Sequence, residues 1–265
     1  MRLPAPEPSL EVSVVLPARD EEALIARCLE ALARQKNVVH EKYEVLLVLD
    51  RCSDGTEERA RELVKAHPDL RLRFLDGPGI GVGHARRVGM EAACERLMEV
   101  GNSGGLIAST DADSVAASDW ISSQISLAEG GARAIGGRIE FEDGGRVLSR
   151  NALDWYEKQS RSRYRRVLAS GLPGDAPEHW QFSGASLSLT AEAYREIGGL
   201  PPQADLEDEY LERTLKEKGV EIFRSSSVKV TTSPRVEGRA SRGLARSLSD
   251  ASLRGAGSRE SGEAS

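Results

Sequence analysis

VSVVLPARDEEALIARCLEALARQKNVVHEKYEVLLVLD, residues 12–50, decides the fold. It opens with a short apolar run, Val12 to Leu16, of the kind that buried parallel strands show. Asp20 then stands where a helix cap is expected, and Leu24, Cys28, Leu29 and Leu32 recur at helical spacing behind it. A second buried strand, Glu44 to Leu49, completes a β-α-β unit. Downstream the cycle repeats. Thr56 is expected to cap a helix reaching about His67, Leu70 to Leu75 reads as a third strand, residues 84–98 as a helix, and Leu106 to Thr110 as a fourth strand. Strands alternating with helices predict an α/β fold built on a doubly wound, mainly parallel sheet flanked by helices. Such sheets hold ligands beyond the carboxyl ends of their strands. The polar clusters fall at those ends: Pro17-Ala18-Arg19-Asp20, Asp50 to Asp54, and Asp111-Ala112-Asp113.

Upstream, residues 1–10 carry three prolines and read as a flexible lead-in. From about Ala132 the spacing changes to shorter strands, a helical stretch around Arg146 to Leu168, a Gly/Pro loop at 171–177 and a helix near Asp205 to Lys218. This half reads as an acceptor-side elaboration of the same sheet, so residues 11–239 form one expected domain, divided at about residue 131. Residues 240–265, rich in Ser, Arg and Gly, read as a mobile tail.

With 265 residues and 39% hydrophobic content, the chain is long enough to fill a core. Its formal net charge of -6 gives no electrostatic reason to expect a nucleic acid partner. Cys28, Cys52 and Cys94 are odd in number and include no CxxC pair, so neither a disulfide framework nor a structural zinc site is indicated. A reducing cytoplasm is the expected compartment. No apolar run approaches the roughly 20 residues of a membrane span, and no signal peptide is recognised at the start.

Asp111 and Asp113 end an apolar strand one residue apart, where both can present oxygens to one hard cation, Mg2+ or Mn2+, that bridges to a diphosphate. The plainer alternative is a cap for a helix starting near Ser118. Asp50 can accept hydrogen bonds from a nucleobase, while Asp54-Gly55 suits a turn. Residues 77–83, GPGIGVG, match no phosphate-loop spacing and read as a lid or close-approach loop. Of Arg86 and Arg87 behind it, one can reach a phosphate. The acidic start Glu207-Asp208-Glu209 suits a helix N-terminus on electrostatic grounds alone, and a carboxylate there can equally serve as a general base. Arg161, Arg163, Arg165 and Arg166, and separately Arg235, Arg239 and Arg242, are either solvated faces or anion contacts for an acceptor. Trp180 and Phe182, just before Gly184, can stack on a sugar or fill a core. No pair of the four histidines has metal-ligand spacing.

In order along the chain stand VSVVLPARDEE, LLVLDRCSDGT, GHARRVGM, ASTDADS, FSGASLSLTAEAYREIGGL and LEDEYLERTLKEKG. The series resembles the family 2 glycosyltransferases of the GT-A fold, over roughly residues 11–225. The resemblance implies a metal-dependent transferase that moves one sugar from a nucleoside-diphosphate sugar, UDP or GDP favoured, to a small or lipid-linked acceptor. A lipid-linked acceptor leaves room for peripheral membrane contact. The resemblance puts Pro17, Ala18, Arg19, Glu21 and Asp50 at nucleoside-contact positions and Arg86 near the donor. It makes Asp111 and Asp113 the DxD metal and diphosphate motif, Glu207-Asp208 the acidic pair with Asp208 as base of an inverting displacement, and Trp180 and Gly184 acceptor-side positions. Arg19-Asp20 and Asp50-Arg51-Cys52 depart from the family's usual residues, and the QxxRW element of processive synthases is absent. Retaining relatives that act on small phosphorylated acceptors often add a histidine ligand where this chain reads Val228 to Arg235 without one. Nucleotidyl transfer and a non-catalytic nucleotide-sugar-binding module are the competing readings.

Overall fold

A computed structural model describes residues 3–142, 150–169, 177–203 and 206–233. The first half is the alternation that the periodicity predicts: β1 (Val12–Ala18), α1 (Ile25–Ala33), β2 (Tyr43–Leu49), α2 (Thr56–Ala66), β3 (Leu72–Asp76), α3 (Val82–Glu99) and β4 (Leu106–Ser109). The four strands pair in parallel in the order β3-β2-β1-β4. The second half adds β5 (Ser114–Ala116), α4 (Trp120–Glu129), β6 (Ala134–Phe141), α5 (Arg150–Ala169), β7 (Leu187–Thr190), α6 (Ala191–Glu196), α7 (Glu207–Glu217) and β8 (Ile222–Thr232). Its strands continue the same eight-stranded sheet as β4-β7-β6-β8-β5. Here β7 runs antiparallel to both β4 and β6, β8 pairs in parallel with β6, and β5 runs antiparallel to β8. The sheet is therefore parallel from β3 to β4 and mixed beyond β4.

Helices cover both faces, because β1, β2 and β4 are apolar on both sides and must be buried on both. On one face Ile25, Cys28, Leu29 and Leu32 of α1 pack with Ala60 of α2 and Trp120 and Ile121 of α4. On the other, Met90, Ala93 and Leu97 of α3 join Tyr194 of α6 and Leu211 and Leu215 of α7. A carboxylate–guanidinium pair lies within this second layer: Arg96 of α3 bonds both oxygens of Glu44 on β2, at 2.6 Å each. Among the described residues no helix is long and apolar enough to cross a membrane.

Several local expectations change. The segment before β1 is docked, not loose: Leu10 is buried, Arg96 donates to the Pro4 carbonyl, and Asn102 donates to the Leu10 carbonyl. Neither Asp20 nor Thr56 caps a helix by its side chain, since tertiary partners claim both, as described below. Helix α4 begins at Trp120 and is separated from the Asp111-Ala112-Asp113 turn by β5, which removes the capping alternative for those aspartates. The expected helix from Arg146 starts, within the described residues, at Arg150. The start of the helix at Asp205, most of the Gly/Pro loop at 171–177, Arg235, Arg239, Arg242 and the tail from 240 lie outside the described residues.

Helix α3 approaches β1 closely at Gly89, where a Cβ would stand 2.4 Å from Val15 Cγ1 and 3.0 Å from Val48 Cγ2. Alanine at position 89 gains about 1 kcal/mol of helix propensity but overpacks a sheet contact, which costs about 1–3 kcal/mol. The second effect wins, because the neighbours are β-branched side chains on buried strands with little room to move. Gly89→Ala is expected to lower the melting temperature by a few degrees, read by thermal denaturation.

Candidate active site

Two strand-end loops are joined to each other at the top of the sheet. The Asp50 amide donates to the Ala18 carbonyl at 2.8 Å, and the Ser53 amide donates to Asp20 Oδ1 at 2.6 Å. In return the Glu21 amide donates to Thr56 Oγ1 at 2.7 Å and the Glu22 amide to Asp54 Oδ2 at 3.0 Å. Asp20 and Arg51 both have positive φ, 50° and 55°, so the chain turns sharply after each strand. For Asp20 the side-chain bond to Ser53 compensates that conformation. Pro17 and Ala18 are buried in β1, Glu21 is half-buried, and the Arg19 side chain is exposed.

Asp50 is only 2% exposed and lies under the glycine loop. Its Oδ1 accepts the Gly79 amide at 2.5 Å, and a Cβ on Gly77 would stand 2.7 Å from the same oxygen. Gly79, at φ +75°, also leaves the room in which the Arg51 side chain lies. The GPGIGVG segment is thus a close-approach loop around a carboxylate.

The guanidinium of Arg86, a residue expected near the donor, is enclosed beside Asp111. It is 2% exposed and is shared among four partners: Nε donates to Glu207 Oε1 at 2.8 Å, Nη2 to Asp111 Oδ1 at 2.8 Å, and Nη1 to Ser109 Oγ at 2.5 Å and to the Gly184 carbonyl at 3.1 Å. A direct contact with a phosphate is not available in this arrangement, because the group's donors point into the protein. Arg87, next along α3, pairs with Glu91 on the surface. Burial opposes the charge on Arg86, yet Asp111 and Glu207 together carry its pKa above the ordinary arginine value. Glu207 is held above the usual carboxylate range: desolvation outweighs the pull of Arg86, and the charge of Asp208 adds to the rise.

Asp111 and Asp113 flank the buried Ala112 at the end of β4, both half-exposed. Asp113 Oδ1 accepts from Ser114 Oγ at 3.3 Å and from Thr232 Oγ1 at 3.4 Å, so the last residue of β8 reaches the site. Nearby, the Cys28 thiol is pushed well above its ordinary pKa by burial and then by the charges of Asp113, Asp111 and Glu21. The acidic field it reports is one that a cation would relieve. Among the described residues no group of three or more His, Cys, Asp or Glu side chains could hold a metal alone. Two hard carboxylates fit a cation whose other ligands are diphosphate oxygens, and fit poorly a resident metal held by protein alone.

The acceptor-side residues meet the same cluster from below. Gly184 lies between Arg86, which its carbonyl accepts, and Asp208, whose Oδ2 accepts its amide at 3.3 Å. A Cβ at 184 would stand 2.4 Å from Arg86 Nη2. Asp208, half-buried in the first turn of α7, also accepts the Glu209 amide through Oδ1. Phe182 belongs to the core, whereas Trp180 is half-buried with the Arg163 guanidinium 4.8 Å over its ring. His179 is buried and neutral, its pKa pushed down to about 4 by desolvation, and its Nδ1 accepts the Gln181 amide. Residues to which the reading of the sequence gave no role are Ser109 and Thr232. No local pattern singles them out, because their partners come from other strands and helices.

The family model described as Glycosyl transferase family 2 matches residues 13–187. Among curated proteins, glycosyltransferase AglE of Haloferax volcanii is 32% identical over 131 residues, 49% of this chain and 40% of that one. Putative glycosyltransferase EpsH of Bacillus subtilis is 27% identical over 169 residues, 60% of this chain and 43% of that one. The matched region is thus less than half the length of either relative. Among solved structures, mannosyltransferase PcManGT of Pyrobaculum calidifontis in complex with GDP-Man and Mn2+ superposes with TM-score 0.59 at 20% identity, covering 88% of this chain and 60% of that one. TarS residues 1–349 of S. aureus in complex with UDP-GlcNAc gives 0.61 at 18%, covering 87% and 60%. At these identities the likeness shows the fold, a mixed α/β sheet of the GT-A type.

Removing Arg86 leaves Glu207 buried without its counter-charge, a change that typically costs about 3–5 kcal/mol. A carboxyl whose folded-state pKa lies above its unfolded value favours folding at low pH, and that contribution is lost as pH rises through the folded-state pKa. Arg86→Met raises the Glu207 pKa further, so its stability deficit against the parent protein is expected to be large at about pH 8 and smaller at about pH 5. Denaturant titration at the two pH values reads the difference.

Proposed function

The chain belongs to glycosyl transferase family 2, and from that premise we propose that it moves a single sugar from a nucleoside-diphosphate sugar to an acceptor hydroxyl, with a divalent cation and with inversion at the anomeric carbon. The observation that carries this reading is the shared guanidinium of Arg86. It gathers Asp111 of the DxD turn and Glu207, the neighbour of Asp208, at one place beyond the carboxyl ends of the parallel strands.

On the donor side, the joined loops of Pro17 to Glu21 and Asp50 to Thr56 form the wall for the nucleoside, with Asp50 the hydrogen-bond acceptor for the base and Arg19 at the open edge. Asp113, with Asp111 beside it, would hold a Mg2+ or Mn2+ ion, which would supply neutralisation of the charge that develops on the departing diphosphate. On the acceptor side, Asp208 takes the hydroxyl proton on a carboxylate oxygen as the acceptor oxygen bonds to the anomeric carbon. The carbon–oxygen bond to the diphosphate breaks at the same time, and its electron pair leaves on the phosphate oxygen. Gly184 keeps Asp208 in place through its amide, and Glu207 anchors the start of α7 to Arg86.

UDP and GDP sugars are the favoured donors, consistent with the UDP-GlcNAc and GDP-Man bound by the TarS and PcManGT proteins. The acceptor is a small or a lipid-linked molecule, the latter met by peripheral contact with a membrane. Inversion is favoured over retention by an aspartate at the acceptor wall and by the β8 segment beside Asp113, which offers Thr232 where a histidine ligand would suit retention.

Two outcomes are expected. Because protein carboxylates alone are too few for a tight metal site, Mn2+ alone raises the melting temperature little, while Mn2+ with the right one of UDP, GDP, dTDP or ADP raises it by several degrees. Asp113→Ala abolishes the metal-dependent part; equal stabilisation with and without metal would sink the cation role. Asp208→Asn lowers transfer by about 10²–10⁴-fold while leaving nucleotide stabilisation intact, and near-normal turnover in that variant would refute the base assignment.

A further inference from the structure

We propose that the acceptor wall contains an anion subsite built on Arg163, and that the acceptor carries a phosphate group. The location of the acceptor rests on the transferase reading above; the anion chemistry does not. Of the exposed arginines of α5 in the 161–166 run, Arg161 is paired with Glu157 along its own helix. Arg163 alone among them turns its guanidinium onto Trp180 and toward α7, with Nη2 3.5 Å from Glu209 Oε1. Glu209 and Asp208 both lie in the first turn of α7, so this guanidinium meets the helix turn that carries the side chain assigned to accept the acceptor's proton.

Three features suit it to a ligand rather than to holding two helices together. Contact with the indole face, 4.8 Å from its centroid, restricts the guanidinium in advance, so less side-chain freedom is lost on binding. The side chain nevertheless keeps 44% of its surface exposed, and Glu209 keeps 57%. An ion pair that long and that exposed contributes little to stability and is easily exchanged. A phosphate offers paired oxygens to the guanidinium fork and is the stronger partner. The subsite also answers an electrostatic need: Asp208 and Glu209 would repel an anionic acceptor unless a cation stood beside them.

The test is titration calorimetry on the full chain with glycerol 3-phosphate, with glycerol as the neutral control, and co-sedimentation with phosphatidylglycerol or phosphatidylcholine vesicles. The parent protein is expected to bind glycerol 3-phosphate and not glycerol, or to bind phosphatidylglycerol vesicles in preference to phosphatidylcholine. The first result assigns a free phosphate and the second a lipid headgroup. Arg163→Gln is expected to weaken that binding roughly tenfold or more, Arg163→Lys to restore part of it, and Arg161→Gln to leave it as in the parent. Matching melting temperatures exclude misfolding as the cause. Failure of the parent to bind either phosphate probe, or equal binding by Arg163→Gln, overturns the subsite. Donor hydrolysis by the parent reports separately on the transferase reading: its absence together with Arg163-dependent binding removes the reaction and keeps the anion site.

Discussion

A guanidinium that retains 2% of its exposure must replace its lost water with acceptors, and the acceptors around Arg86 come from four different parts of the chain. Ser109 ends β4, Asp111 opens the acidic turn, Gly184 precedes β7 and Glu207 starts α7. Each of these bonds is made only when the others are, because a buried charge with half its partners would be worse than none. The nucleotide half and the acceptor half of the sheet are therefore tied at one atom group, and the position of α7 against the DxD turn follows from it. Gly83 and Gly184 make the approach possible: a Cβ at 83 would meet the Gln203 carbonyl at 2.2 Å, and one at 184 would meet Arg86 itself.

The same charge is divided unequally. Asp111 is half-exposed and faces the place where a cation would stand, whereas Glu207 is buried and titrates above the usual carboxylate range.

The joined loops of residues 18–22 and 50–56 serve a parallel purpose around the nucleoside wall. Their bonds run from backbone amides to the side chains of Asp20, Asp54, Glu22 and Thr56, so the carboxylates that might have capped helices locally hold two strand ends together. Side chains of this type bind whichever amide is presented, and here the tertiary amide is the one in reach. Trp180 and Arg163 bring an indole face and a positive charge to Glu209, in the acidic first turn of α7.

Much of this was legible in the residues themselves. Continuous apolar runs in β1, β2 and β4, and helical spacing in α1, arise from burial on both faces or on one stripe, which is a local constraint on the pattern. The chain order of these elements placed Asp50, Asp111 and Asp113 at strand ends, and Asp208 at a helix start, without reference to any partner. What the pattern left open was decided by contacts between segments far apart in sequence. That Arg86 ties four segments together, that β7 runs antiparallel, that Thr232 reaches Asp113 and that Arg163 lies on Trp180 all depend on which side chains packing brings within a few ångströms. Local sequence sets the period and the ends of an element, because those depend on neighbours along the chain; the partner of a charged side chain is chosen by burial and geometry, which exist only once the sheet has closed over both halves.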